Sequence, residues 1–469
     1  MSTATIILRT EMLRMVRGRW LLPLWLAFLA VCGYAAWEGA AWSQQRGTAL
    51  AAIQDEEREV HRMRRDQIVN ELTPENKARY GGAIYATAMS FRATLPQGEL
   101  PVLTAGQAEG YPMAAKIFPF VASNTIFDEY MAGMENPAVL AAGRFDLAFV
   151  LVWLLPLLVL AGSFDLWSFE RERGMEPWLL AQPVSPARYL LAKAAARALL
   201  LVGPPVLVLV AVLRFTAAAG PAALLQVALL SALYGLFWLG LATFVNLFAR
   251  NAAQAALGCV AGWLALVVLA PALALGMTDL FAPRASPAER TNALRAMAMQ
   301  ARAEVRRQAD AAPPERLPAP NIPDNLRKRA LEVERGEQLI QAAVQPYRAQ
   351  DERRQRWMDL SRASSPAIAF QDALERLAGA DAGRALRYQD QAHGFLLGVR
   401  RLTQRYLEQD RLLTAADYEH GMPRFVYREA PPGARLGALG VDAGVMALFL
   451  LALLALGARR LRRQAFHTE

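Results

Sequence analysis

Hydrophobic and polar positions in this chain are gathered into long blocks rather than interleaved. Six apolar blocks have the length of a membrane-spanning helix, at residues 20–37, 147–163, 194–213, 222–248, 255–276 and 436–457. The first reads as a retained anchor, not a cleaved signal: Trp20 and Trp37 mark its ends like interfacial residues, and no A-x-A site follows directly behind it. Pro156, Pro204 and Pro205 fall inside or near the ends of blocks, which a membrane bundle tolerates when neighbouring groups satisfy the freed carbonyls. Two long polar regions, 38–146 and 277–435, separate the blocks. Leu50, Ile53, Val60, Met63 and Ile68 recur at helical spacing, so the first block is expected to continue outward as a helix. Thr73-Pro74-Glu75 predicts a new helix start. Proline-containing breaks at 111–119 and 312–323 are followed by amphipathic patterns over 325–361, 366–378 and 383–413. Little in either region alternates like a strand. The pattern predicts an all-α polytopic membrane protein with six transmembrane helices and two large, mainly helical insertions that pack on each other as hairpins.

Charge adds orientation. Lys+Arg number 51 against 42 Asp+Glu, a net +9, and the mean hydropathy is +0.17. Arg9, Arg14, Arg17 and Arg19 precede the first block, Arg459, Arg460, Arg462 and Arg463 follow the sixth, and Arg171, Arg173, Arg188, Lys193 and Arg197 cluster after the second. Arginine and lysine beside short loops mark the cytoplasmic side, so both termini, the loop 164–193 and the tail 458–469 are expected inside. Regions 38–146 and 277–435 then fall outside, because long loops translocate regardless of charge. Residues 1–19 mix Ile6, Ile7, Leu8, Met12, Leu13, Met15 and Val16 with arginines, an amphipathic helix suited to the inner membrane surface.

Candidate chemistry is sparse. Cys32 and Cys259 both lie in apolar blocks, which excludes a disulfide-stapled secreted scaffold. The four histidines, His61, His393, His420 and His467, are far apart and no zinc spacing occurs. Asp417-Tyr418-Glu419-His420 reads as a solvated cluster before it reads as a metal site, and His393 as a packing residue. The basic stretch 302–307 is interrupted by Glu304 and falls outside the membrane, so nucleic acid is not an expected partner. No G-x-x-x-x-G-K-[ST] and no G-x-S-x-G is present, so neither a phosphate-cradling loop nor a serine nucleophile of those types is encoded. Asp442 and Asn246 sit near block ends, where polar groups cap or snorkel. Gly258 and Gly262 form a G-x-x-x-G that allows two backbones to approach, a candidate dimer contact whose spacing also arises by chance in an Ala/Gly-rich helix.

The segment between blocks two and three is about thirty residues long, well beyond the roughly two to eight usual for a purely structural helix–helix loop. It reads Asp165-Leu-Trp-Ser-Phe-Glu170-Arg-Glu172-Arg-Gly174, then Trp178-Leu179-Leu180-Ala-Gln182-Pro183-Val-Ser185-Pro186, with Lys193 opening the next block. Alternating charge against a membrane exit, a glycine break and a short apolar helix point to a docking surface at the cytoplasmic face. At Asp165, Glu170, Glu172, Gly174, Leu179, Leu180, Pro183, Ser185 and Lys193 the chain resembles the ABC-2 type exporter permeases. Met175 stands where that family usually has threonine. Large insertions after blocks one and five, with Asn136-Pro137, Gly143-Arg144-Phe145-Asp146, Ser364-Ser365-Pro366 and Met422-Pro423-Arg424-Phe425, look like the bacterial permeases that carry the domain of unknown function 3526, related to multicopper-enzyme maturation permeases.

The resemblance implies that 164–193 is a coupling loop contacting a nucleotide-binding ATPase subunit and that residues 1–19 form an elbow helix. It also implies a second permease chain, identical or different, in a bacterial inner (cytoplasmic) membrane. ATP and Mg would then be held by the partner ATPase, with no cofactor bound by this chain and no enzyme activity of its own. The leading expectation is the permease subunit of an ATP-driven exporter. A second is a mechanotransmission device in which ATPase strokes move the external helices against a periplasmic protein without cargo crossing. An ion-coupled carrier ranks last, because few charges fall at mid-membrane.

Overall fold

The computed structural model describes residues 3–71, 81–131, 145–180, 185–217, 219–283 and 321–465, with short helical stretches between 289 and 307. The expected helix start at 73–75 lies outside the described residues. An N-terminal helix, α1 (Thr3–Arg17), turns at Arg19, whose φ is +54°, into α2 (Leu21–Asp66). At 46 residues and 1.5 Å per residue, α2 is about 69 Å long, more than twice the ~30 Å of a hydrocarbon core. Its first part is apolar and its second part charged, so the first block does continue into the polar region as one helix without a break.

Five helical segments are long and apolar enough to cross a membrane: Leu21–Asn70, Pro186–Thr216, Pro221–Phe248, Ala252–Phe281 and Pro432–Arg462. The expected count of six is not met on that measure. The second block forms a shorter apolar helix, α3 (Leu147–Ala161), which lies buried among the others through Leu147, Val150, Leu151, Leu155, Leu158 and Val159. The third block is two helices, α6 (Pro186–Leu201) and α7 (Gly203–Thr216), divided at Val202 just before Pro204 and Pro205, which have no N–H to donate to the preceding turn. The remaining long helices are α8 (Pro221–Phe248), α9 (Ala252–Phe281) and, last in the chain, α13 (Pro432–Ala465). Between α3 and α6 stand two single-turn helices, α4 (Ser168–Glu172) and α5 (Glu176–Leu180).

Prolines set the irregularities in these helices. Pro156 cannot bond the carbonyl of Val152, and α3 widens to π geometry over Val150–Leu154; the hydroxyl of Tyr234 from α8 donates to Val152 O at 2.9 Å instead. Trp263 Nε1 donates to the neighbouring Trp153 O at 3.2 Å. In α9 a second π segment, Leu264–Leu269, precedes Pro271, and the hydroxyl of Ser365 donates to Leu266 O at 2.7 Å. Side chains from adjacent elements thus satisfy the carbonyls that proline leaves free, as an apolar setting requires.

The two polar regions share a single core. From the second come α10 (Asp324–Ser361), α11 (Pro366–Ala378) and α12 (Ala382–Glu408), close to the predicted bounds. The first contributes an antiparallel ladder, β1 (Phe91–Thr94) with β2 (Ala114–Ile117), in the register Phe91–Ile117 to Thr94–Ala114. This short ladder is the exception within insertions that are, as expected, mainly helical: most of its positions are buried, so no inside–outside alternation is there to be read. Tyr388 on α12 donates to Ala93 O at 2.8 Å, Leu413 N to Ile84 O at 2.7 Å, and Tyr418 to Ala83 O at 3.1 Å. Phe91, Ile117, Tyr388, Leu396 and Val399 lie in the common apolar core. Helix α11 leaves this module to pack on α8 and α13, where Phe370 stacks on Tyr234 with ring centroids 4.2 Å apart and Arg376 pairs with the fully buried Asp442.

Candidate coupling segment

Helix α1, the 165–180 segment, the α8–α9 junction and the C-terminal part of α13 meet at one end of the helix bundle. Arg14 lies 3.7 Å from Asp165, Arg171 Nη1 donates to Ala249 O at 2.5 Å, and the guanidinium of Arg460 sits 5.3 Å from the ring of Phe248. Asp146, at the start of α3, lies at the other end, where it accepts from Thr104 Oγ1 at 2.6 Å.

A buried ionic cage ties this end together. Lys193, on the second turn of α6, is 1% exposed; it donates to Glu170 Oε1 at 2.5 Å and to Leu166 O at 2.7 Å. One turn further, Arg197 donates to Glu11 on α1 at 2.8 and 3.1 Å, to Asp165 at 2.7 Å and to Gly162 O at 2.9 Å. Three acidic groups from α1, the turn before α4 and α4 itself therefore converge on two cations of α6. Charges are retained in such a dry setting only when paired and hydrogen-bonded. Glu170 Oε2 has no hydrogen-bond partner, so Oε1 carries the carboxylate's contacts.

Asn246, fully buried near the end of α8, fixes the entry to α4. Its Oδ1 accepts from Trp167 N at 3.1 Å and Ser168 N at 3.0 Å, and its Nδ2 donates to Ser163 O at 3.3 Å and Ala242 O at 2.8 Å. An asparagine so placed caps the start of a helix from outside, doing for α4 what a local N-cap does elsewhere. Arg171 holds Glu176 through a fork of 2.7 and 2.9 Å, and Trp167 Nε1 adds a contact to Glu176 at 3.1 Å. The hydrogen bonds from Arg171 bring the Glu176 carboxyl below its ordinary value, against partial burial, which raises it.

The sequence-predicted residues divide in two. Asp165 and Glu170 face inward, into the cage. Glu172, exposed, accepts from Ala252 N at 3.2 Å and so ties α4 to the start of α9. Gly174 has φ +67° and nothing near its Cα in the Cβ direction, so it is the left-handed residue that ends α4 and turns the chain into α5. Leu179 and Leu180 close α5, Pro183 lies outside the described residues, and Ser185 caps α6, accepting from Arg188 N at 3.4 Å. The expected loop ends earlier than 193, because α6 already begins at Pro186. The segment's exposed face is Arg173, Met175, Pro177 and Trp178, with Trp178 67% exposed. Glu11, Arg197, Asn246 and Trp178 were not among the expected site residues; a lone Glu among arginines in α1 and an amide near the C-terminal end of an apolar helix are the signals that identify two of them. Gly258 and Gly262 face α8 of the same chain, where an added Cβ would meet Val245 Cγ1 at 2.7 Å and Leu241 Cδ2 at 3.0 Å.

Residues 325–428 match the model of a family described as a domain of unknown function, DUF3526. The match covers nearly all of α10, then α11, α12 and the chain leading back toward α13, and does not include the coupling segment. No curated protein matches the chain.

Proposed function

We propose that this chain is the permease subunit of an ATP-driven ABC-2 type exporter of a bacterial inner membrane, with both termini cytoplasmic. A separate nucleotide-binding subunit, carrying ATP and Mg, would dock on the exposed face of the 165–180 segment, and a second permease chain would complete the transporter. The observation that carries this reading is the split within the motif: an ionic cage roots the segment in the bundle while Arg173, Met175, Pro177 and Trp178 stand out from it at the end shared by both terminal segments. Exposed Trp and Arg of this kind are favoured anchors of an interface.

Six crossings are part of the proposal. Terminal segments at one end of the bundle require an even number, and α3 supplies the sixth. Its 15 residues reach only about 22 Å, but it is enclosed by other helices, so it need not match the lipid thickness along its whole length. Closure of the ATPase subunits would push on the segment and, through Glu170, Lys193 and Arg197, tilt α6 and α1.

The test is co-purification of a nucleotide-binding subunit with the tagged chain. Met175→Glu together with Trp178→Glu should abolish recovery of that subunit while the thermal midpoint of the permease stays within about 1 °C, since exposed substitutions rarely exceed ±0.5 kcal/mol. Undiminished recovery would place the docking surface elsewhere.

The second reading, mechanotransmission to a periplasmic protein without cargo, is favoured by a different observation. Helix α11 belongs to the external module yet is fastened to the bundle by Ser365, Phe370 and Arg376. ATP-driven cross-linking of a periplasmic protein, in vesicles that hydrolyse ATP but move no solute, would select it.

A further inference from the structure

Helices α10 and α12 face each other across a cleft without packing closely. Two ion pairs span it, Arg327 to Asp410 at 2.7 Å and Arg400 to Glu337 at 3.0 Å. The bridged residues lie ten apart along each strand of the pair and in opposite order, so the helices are antiparallel and the bridges stand about 15 Å apart. Between the bridged helices lies a cavity of about 930 Å³, a volume typical of small-molecule sites. Its walls are Ala330, Leu331 and Val333 on one side and Leu397 and Leu407 on the other, with Phe120 at the edge. Leu331 is 52% and Leu397 39% exposed into it, an unfavourable arrangement for branched aliphatic side chains left in water.

The polar groups of the cleft restrict what fits. Both bridges are satisfied internally: Glu337 also accepts from Ser123 N, Arg400 donates to Val121 O, and Asp410 accepts from Asn321 N and Ile322 N. They therefore offer no polar recognition. The one aromatic ring, Phe120, is covered by Arg329 at 5.2 Å, so a planar ligand has no open stacking face. At the rim, Glu334 and Glu408 have no ion-pair partner among the described residues, against a single such cation, Arg401. The walls select an aliphatic chain and the rim selects against an anionic head.

We propose that the cleft between α10 and α12 binds a single-chain cationic amphiphile, with its aliphatic chain between Leu331 and Leu397 and its head group at Glu334 and Glu408. This holds whether or not the chain is a transporter, since it rests on the external module alone.

The test uses the full chain in phosphatidylcholine nanodiscs and a dodecylamine carrying a terminal diazirine. Photolabelling should fall on peptides covering 327–341 and 397–410, and dodecyltrimethylammonium should protect them far better than dodecyl sulfate. Glu334→Gln with Glu408→Gln should weaken protection about tenfold, the sum expected of two exposed charge contacts. Leu331→Gln with Leu397→Gln should abolish labelling; both leucines are solvent-accessible, and an unchanged melting curve would show that the fold is kept. Labelling elsewhere, equal protection by dodecyl sulfate, labelling that survives the glutamine walls, or a second polypeptide cross-linked into the cleft would each overturn the assignment.

Discussion

Lys193→Met tests the cage most directly. In the folded chain Glu170 is 3% exposed, its Oε1 takes the ammonium at 2.5 Å, and its Oε2 has no partner to fall back on. Removing one member of such a buried pair costs about 3–5 kcal/mol, because the remaining charge is left in a dry site. Glu170→Leu should cost somewhat less, since Lys193 keeps Leu166 O at 2.7 Å and Glu11 at 4.0 Å. The double variant Glu170→Leu/Lys193→Met leaves no uncompensated charge from this pair and forfeits mainly the hydrogen bond to Leu166 O, about 1 kcal/mol. It should therefore fall short of the sum of the singles by about 2 kcal/mol or more. Reversible unfolding of the full chain in mixed micelles, followed by tryptophan fluorescence, measures all four corners of the cycle. Recovery of the ATPase subunit adds a second readout. If Glu170 anchors the segment from within, the double variant recovers the partner; if Glu170 itself touches the partner, the double is as defective as Glu170→Leu. Additive singles, or singles costing under about 1 kcal/mol, would refute the cage as the source of the segment's rigidity.

Gly258→Leu should destabilise the single chain by about 1–3 kcal/mol through overpacking on Val245, with the oligomeric state by mass photometry unchanged; a shift in oligomeric state at constant stability would favour the dimer contact instead. Tyr234→Phe and Ser365→Ala each leave a proline-freed carbonyl unserved, so each should cost about 1–3 kcal/mol and raise hydrogen exchange around 150–156 and 264–271 respectively; unchanged exchange in both would count against the role given to the hydroxyls. Two carboxyls make opposite contributions with pH. Burial alone would raise Asp417, but hydrogen bonds from Thr414 and Tyr406 and the charge of Arg411 hold it below the ordinary carboxylate value, so the stability it contributes is present at neutral pH and is lost as pH falls below the ordinary carboxylate range. Burial pushes Asp372 up to about 6, with the negative charge of Asp442 adding to it and Arg376 opposing, so its protonation favours the folded state at low pH and that contribution fades as pH rises toward 6 and above. Asp417→Asn should accordingly lower the thermal midpoint more at pH 7 than at about pH 2, and Asp372→Asn should raise it more at pH 7 than at about pH 4.

What the sequence made legible follows from how each signal is encoded. Apolar blocks and amphipathic periodicity are local, so the long helices, the outward continuation of α2 and the bounds of α10 and α11 could be read from adjacent residues. The β1–β2 ladder could not, because it pairs two four-residue strands whose burial depends on a helix almost 300 positions away: Tyr388 closes over Ala93. The second block is legible only in part for the same reason. Its composition is that of a span, whereas its helix is short and takes π geometry just before Pro156, where Tyr234, 82 positions on, donates to the Val152 carbonyl. In the 165–180 segment the charge pattern could not say which charges face inward. Glu170 and Glu172 are two apart and look equivalent in the sequence; on a helix that spacing turns them about 200° from one another, so one meets Lys193 in the interior while the other reaches Ala252 at the surface. Face assignment on a single-turn helix depends on what the rest of the chain places beside it. Here that is α6, whose lysine and arginine one turn apart fix which side of α4 is buried and leave Trp178, carried by the next turn, exposed.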